Sequence, residues 1–353
     1  MSAFRLLLLP FSLIYGLVVK LRNNFYDKGI FHSHEFDIPV IAVGNLEVGG
    51  AGKTPMIEYL VRLLSPEKKI ATISRGYGRK TKGMIIADEN SSAQEIGDEP
   101  MQFNTKFPEV TVVASENRVK AINTVKDDQQ VILLDDAFQH RKVKAGFTIL
   151  LLDYNRVGER SFLLPAGNMR ESKAGMKRAD VIVVTKAPKI FSPLDQRVVE
   201  AKIRPYFDKE IFYSYIHYGE LQLLNKNSDV QQFTLSDITR KTEIILLTGI
   251  AKTKPLTDFL EVKTKNITHL KYLDHHKFTA KDVQKLADVY NSVSAAHGGQ
   301  KVIITTEKDA MRLMAPELET EVLQLPIHYI PIKAEICDRF KEDFDNKILN
   351  YVG

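Results

Sequence analysis

One cysteine, Cys337, stands in the 353 residues. A lone thiol excludes an intramolecular disulfide framework, fits a reducing compartment, and reads as a buried structural side chain. The chain also lacks any dense Lys/Arg block with interleaved aromatics. Its formal charge of +5 and pI near 8.9 suit an anionic substrate or an anionic membrane surface, so nucleic acid is not an expected partner. No internal repeat or low-complexity tract stands out. The most apolar stretch, residues 6–19, is too short to span a bilayer comfortably and is interrupted by Pro10 and Gly16. With 44% hydrophobic and 26% charged residues, the composition is that of a globular protein long enough for two domains with real cores.

The apolar stretch is flanked by Arg5, Lys20 and Arg22. Two readings stay open for it: a helix lying in the headgroup layer with basic residues toward anionic lipid, or a core helix packed on the first domain. A secretory signal is disfavoured because no small-x-small cleavage site follows.

Residues 39–55 run Pro-Val-Ile-Ala-Val-Gly-Asn-Leu-Glu-Val-Gly-Gly-Ala-Gly-Lys-Thr-Pro, an apolar strand feeding a glycine-rich turn. Gly49, Gly50 and Gly52 let backbone N–H groups converge on phosphate oxygens, and the following helix adds its positive end. Lys53 reaches the β and γ phosphates, and the Thr54 hydroxyl suits Mg²⁺. One position departs from G-x-x-x-x-G-K-[ST]: its first glycine is Glu47. Strand-like runs at Ile70–Ser74, Val110–Ala114, Val131–Leu134, Phe147–Asp153 and Val181–Thr185 alternate with helical segments, which predicts a doubly wound, mostly parallel sheet. Alternating residues from 211, followed by a polar turn at Asn225–Asp229, read as antiparallel strands forming a hinge. A second α/β unit follows, with strands at Ile244–Leu247 and Val302–Thr305 and a helix from Ala280 to about Ala296.

Polar clusters fall at the predicted carboxyl ends of strands, where α/β sheets bind ligands. The run Val131-Ile-Leu-Leu-Asp-Asp ends in Asp135 and Asp136, suited to Mg²⁺ held directly or through water, and continues to Gln139 and His140. An acidic turn capping the next helix is the plainer alternative. In Gly97-Asp98-Glu99-Pro100, Asp98 suits a hydroxyl nucleophile and Glu99 the metal shell, although a solvated turn has equal standing. Arg75 and Arg79 frame a turn suited to gripping phosphate, and Arg118 and Arg170 are further anion candidates that singly read as surface residues. His275 and His276 follow Asp274; adjacent histidines point apart, so one facing the interdomain cleft is favoured over a shared metal. Lys308 and Arg312 read as a solvated first helical turn.

Taken in order, Gly-Asn-Leu-Glu-Val-Gly-Gly-Ala-Gly-Lys-Thr-Pro, Ser-Arg-Gly-Tyr-Gly-Arg, Gly-Asp-Glu-Pro, Leu-Asp-Asp-Ala-Phe-Gln-His, Leu-Leu-Pro-Ala-Gly-Asn-Met-Arg-Glu, Thr-Gly-Ile-Ala, Asp-His-His and Thr-Glu-Lys-Asp-Ala resemble the tetraacyldisaccharide 4'-kinase (LpxK) family over most of the chain. That family tolerates a non-glycine at the position of Glu47. Ala137, where glycine is common, and Asn168-Met169, where Leu-Arg is usual, depart from its pattern.

The resemblance implies a P-loop NTPase core at 1–210 including a membrane-associated N-terminal helix, a two-stranded linker at 211–240 and a smaller α/β domain at 241–353. It implies transfer of the ATP γ-phosphate to the 4'-hydroxyl of a lipid-linked acylated glucosamine disaccharide 1-phosphate. The setting would be the cytoplasmic face of the bacterial inner membrane, with the enzyme acting as a monomer. Gly49, Gly50, Ala51, Gly52, Lys53, Thr54, Gln139 and His140 would bind ATP. Thr54, Glu99, Asp135 and Asp136 would hold Mg²⁺, while Asn45, Arg75, Arg79, Arg118 and Arg170 would bind the acceptor. Lys53, Asp98, His275, Asp135 and Asp136 would carry the reaction, with His275 supporting Asp98. Two other functions remain in view: a soluble P-loop small-molecule enzyme, and a nucleotide-switched membrane-binding protein without a phosphoryl acceptor.

Overall fold

Runs such as VIAVGN, VILLD and VIVVT are buried along their whole length, as strands covered on both faces require. A computed structural model describes residues 5, 7–159, 161–224, 232–294 and 299–353. The expected turn at Asn225–Asp229 lies outside the described residues. The first lobe is built from β1 (Val40–Asn45), β2 (Ile70–Ser74), β3 (Ile85–Ile86), β4 (Thr111–Ala114), β5 (Val131–Asp135), β6 (Phe147–Asp153), β7 (Val181–Thr185) and β8 (Ile211–Tyr218). The second contains β9 (Gln222–Leu223), β10 (Glu243–Thr248), β11 (Ile267–Lys271), β12 (Lys301–Thr306) and β13 (Ile327–Ile330), after which β14 (Ile332–Ile336) follows directly.

A nine-stranded sheet has the order β14-β8-β7-β6-β1-β5-β2-β4-β3, parallel except for the edge strands β14 and β3. β1 runs between β5 and β6, so the glycine-rich loop leaves the middle of the sheet at its carboxyl edge. Apolar clusters cover both faces, one including Ile41, Val43, Ile57 and Leu60, another Val40, Ala42, Ile73 and Leu134. A second sheet, β11-β10-β12-β13-β9, carries its own core of Ile245, Leu247, Ile303 and Leu313.

The expected division at 211–240 and 241–353 is redrawn. β8 is a strand of the large sheet, and its antiparallel partner is β14, with Tyr218 opposite Ile332 and Ser214 opposite Ile336. The two strands that cross between the lobes are therefore distant in sequence. The helix Asp338–Val352 also returns to the first lobe: Phe344, Ile348 and Val352 join its core, and Tyr59 donates to Asp345 Oδ1 at 2.5 Å. Local alternation shows that 211–218 is a strand but not which distant segment completes it. Cys337 is free and buried beside β14, as a structural thiol should be.

The helix Leu9–Asp27 buries only Ser12 among its residues, which sets aside the core-helix reading of the apolar stretch. Its polar side docks instead. Ser12 Oγ donates to the Leu163 carbonyl at 2.9 Å, Tyr15 to the Arg170 carbonyl at 2.8 Å, and Arg22 to the Gln139 carbonyl at 2.9 Å. Phe11, Leu13, Ile14, Leu17 and Val18 stand exposed on the rest of its surface, Leu13 by 76%. Among the described residues no helix is long and apolar enough to cross a membrane.

Candidate active site

The loop after β1 turns on Gly49 and Gly52, whose φ values of 112° and 84° a side chain would strain. Gly52 caps the helix Lys53–Leu64, and Thr185 at the end of β7 donates to the Ala51 carbonyl at 2.8 Å. The backbone N–H groups of the first helical turn therefore open at the sheet edge, a ready anion site. Lys53 lies 3.4 Å from Asn45 Oδ1 and 3.6 Å from Asp136 Oδ1; Thr54 is buried beside it.

Asp135 ends β5 fully buried, and its Oδ1 has no hydrogen-bond partner among the described residues. Burial pushes its pKa up to about 7 against the pull of Lys53. A buried carboxylate in that condition fits a cation. Asp136 differs: burial would raise its pKa, but Lys53, Arg170 and Arg118 hold it below the usual carboxylate range. Arg170 Nη1 sits 2.6 Å from its Oδ1. Arg118 is buried near both aspartates, with its Nε unpartnered among the described residues. Arg75 is exposed and makes no hydrogen bond or ion pair there.

The second carboxylate pair stands at the start of the helix Asp98–Lys106. Gly97 and Gly76 pack backbone to backbone, so a Cβ on Gly97 would come 2.9 Å from Gly76 Cα; this brings the Ser74–Arg79 turn against Asp98. Asp98 Oδ2 receives Arg312 Nε at 2.9 Å, Arg312 Nη2 at 2.7 Å and His275 Nδ1 at 3.2 Å. All three fall on one oxygen, leaving Oδ1 without a partner among the described residues. Burial opposes ionisation of Asp98, yet His275 and Arg312 keep its pKa low, and the same contact with Asp98 raises that of His275. Tyr77 meets the His275 ring edge to face at 5.4 Å. Glu99 pairs with Lys308 at 2.7 Å and is likewise held ionised despite burial.

Asp136, Lys186 and His275 are the non-glycine residues with positive φ among those described: Asp136 lies beside Lys53, Lys186 beside Asp153 and the glycine-rich loop, and His275 beside Asp98. Backbone strain concentrated in this way is a mark of functional sites.

Several expectations change. Gln139 is engaged within the fold: its amide donates to the Asn45 carbonyl and to Glu171, each at 2.9 Å, bracing β1. Arg79 is held by Glu116 and by the Gly83 and Ala114 carbonyls, while its buried Nε has no partner among the described residues. His140 is half-buried and its pKa falls to about 4, chiefly through burial. Asp135, Asp136 and Glu99 do not form a ready cage; no group of three or more metal-ligating side chains converges among the described residues. His276 turns away to Asp282 at 3.1 Å and stacks on Tyr272. Lys308 and Arg312, read from sequence as solvated, are the cations that complete Glu99 and Asp98. The unbalanced acids at 98–99 were the signal that could have found them. Lys186 and Lys252 were also missed; both reach buried Asp153, at 3.0 and 3.3 Å, beside the glycine-rich loop.

A family model described as LpxK, Tetraacyldisaccharide-1-P 4'-kinase, matches residues 4–350. Among curated proteins, the tetraacyldisaccharide 4'-kinase of Flavobacterium johnsoniae is 44% identical over all of this chain and 98% of its own length. The enzyme of that name from Bacteroides thetaiotaomicron is 41% identical, covering 98% of this chain and 92% of its own. A crystal structure of the "apo" form of LpxK from Aquifex aeolicus in complex with ATP superposes with a TM-score of 0.73 at 30% identity, covering 99% of each chain.

Proposed function

The chain belongs to the tetraacyldisaccharide-1-P 4'-kinase family and is a kinase of lipid A biosynthesis, and from that premise we propose that the cleft between its lobes transfers the ATP γ-phosphoryl group to the 4'-hydroxyl of an acylated glucosamine disaccharide 1-phosphate. One observation carries the assignment of roles: Asp98 is strongly held and ionised with its Oδ1 unpartnered among the described residues, and its neighbour Glu99 lies close enough to Asp135 beside Lys53 to act on its charge.

The loop acts as a P-loop. Its N–H groups and Lys53 hold the phosphates, and Lys53 strengthens its grip as negative charge builds on the transferring group. Thr54 and Asp135 would hold Mg²⁺, which would neutralise phosphate charge when bound; the buried, unpartnered Asp135 Oδ1 is the feature that fits it. Asp98 Oδ1 accepts the hydrogen of the acceptor hydroxyl, fixing a lone pair toward the γ-phosphorus. The oxygen–phosphorus bond forms as the bond to the ADP oxygen breaks, and the hydroxyl proton passes to Asp98. Arg312 makes Asp98 a weak base, so orientation rather than basicity is its main contribution, as suits a loose transition state. Arg75 and Arg118 are left to meet the acceptor's phosphate.

His275 supports this carboxylate. Replacing it with alanine should lower turnover about 10- to 100-fold, less than removal of a direct proton acceptor. The Asp98→Ala/His275→Ala pair should then lose much less than the product of the single losses. Turnover kinetics check both; multiplicative losses would sink the coupling. His276→Ala should lower the melting temperature and leave turnover largely intact.

The helix Leu9–Asp27 places the enzyme on the lipid surface. Its exposed apolar residues form a continuous face, while its docked side meets Arg170 and Gln139 close to Asp136. Burying a Leu, Phe or Ile side chain contributes about 1.5–3 kcal/mol, so exchanging Leu7, Phe11 and Ile14 for serine should abolish flotation with anionic vesicles. Activity should fall on membrane-embedded acceptor and persist on detergent-dispersed acceptor. Unchanged flotation would move the membrane contact elsewhere. The transfer itself is tested with labelled ATP and lipid-linked disaccharide: label must enter the lipid phase only when acceptor is present.

A further inference from the structure

Buried charges that the transfer does not use converge at the far end of the Asp98–Lys106 helix. Glu58, on the helix Lys53–Leu64, and Glu307, first residue of the helix Glu307–Leu313 in the second lobe, are both buried. Lys106 Nζ lies 2.7 Å from Glu58 Oε2 and 2.7 Å from Glu307 Oε1. Glu58 also receives Gln102 at 2.7 Å and Arg62 at 3.3 Å. Glu307 has Lys106 as its one ion-pair partner among the described residues, and its Oε2 is buried without a hydrogen bond. Burial, and next the Glu58 charge, raise the Glu307 pKa.

The same two helices carry the acids and cations of the cleft. Glu307, Lys308 and Arg312 on one meet Lys106, Glu99 and Asp98 on the other. We propose that Lys106 is a positioning residue for phosphoryl transfer: by neutralising Glu58 and Glu307 together, it ties the Asp98-bearing helix to both the nucleotide-loop helix and the second lobe. This rests on the kinase reading, in which Asp98 faces the acceptor and Lys53 the nucleotide. Without Lys106 the two buried carboxylates repel, and one buried charge stands uncompensated. Relief comes from uptake of a proton by one of them or from separation of the helices, and separation draws Arg312 and Lys308 away from Asp98 and Glu99. From Lys106 to Asp98 is about 12 Å along a rigid helix, at about 1.5 Å per residue, so a tilt at one end is felt at the other.

The test uses the full chain and four forms of it. Lys106→Met should lower kcat about tenfold or more with ATP KM changed less than about threefold, because the phosphate cradle itself is untouched. Lys106→Arg, which keeps the charge and can bridge both carboxylates, should stay within about threefold of wild type. Lys106→Met with Glu307→Gln removes the cation and the repulsion together. It should recover most of the lost kcat, whereas a merely structural lesion would worsen with a second buried substitution. Amide exchange gives a readout independent of activity: Lys106→Met should loosen 98–106 and 307–313 selectively, and the double variant should restore them. The inference is overturned if Lys106→Met keeps kcat within twofold, if Lys106→Arg is as impaired as the Met form, or if the double variant is no better than Lys106→Met. Failure of wild type to label the lipid overturns the kinase reading instead, and exchange at the two helices then still decides the structural tie.

Discussion

Asp98→Ala should lower turnover by about a thousandfold while shifting ATP KM less than about threefold, because the lost interaction lies on the acceptor hydroxyl and not on the nucleotide. The size follows from what Asp98 offers: one oxygen saturated by Arg312 and His275, the other free. Removing it also leaves buried Arg312 with Asp309, at 2.9 Å, as its remaining carboxylate partner, so stability should be followed alongside. Asp98→Asn separates the two effects, since it keeps the shape and loses the charge. Steady-state kinetics with varied ATP and acceptor decide the matter. An Asp98→Ala enzyme within tenfold of wild type would leave the hydroxyl to some other group.

Lys53→Ala should cost about a hundredfold or more in turnover, comparable to losing one preorganised group that meets developing charge. Lys53 sits at the edge of the sheet, touching Asn45 at 3.4 Å and Asp136 at 3.6 Å, and packs into no core, so its removal should leave the melting temperature nearly unchanged. Near-normal turnover in a folded Lys53→Ala variant would mean that the loop does not cradle the transferred phosphate.

Local pattern carried far in this chain. Buried strands are continuous apolar runs, so β1, β5, β6 and β7 could be read within a residue or two, and the glycines at 49 and 52 mark a turn that other residues would strain. The cluster after β5 was legible because two adjacent aspartates at a strand end have few structural uses. Pairings between distant segments were not legible. Nothing in the alternation of 211–218 names 332–336 as its partner, and nothing in Thr306–Arg312 says that its cations meet acids near residue 98. Nor does local pattern show that Gln139 and Arg79, which read as ligands, already have partners within the fold, a backbone carbonyl at 2.9 Å and a surface glutamate. Of the two histidines, only the backbone turn at φ 57° sends His275 toward Asp98 and leaves His276 to Asp282.

The return of β14 and the last helix to the large sheet bears on synthesis. A ribosome delivers β1 through β8 early, but the sheet lacks its edge strand and part of its apolar cover until Phe344, Ile348 and Val352 emerge. The second lobe, whose sheet lies wholly between β8 and β14, has all its strands earlier and can fold first. Maturation of the first lobe thus waits on residues 332–352, and a chain stopped within that segment leaves a finished second lobe beside an open first one.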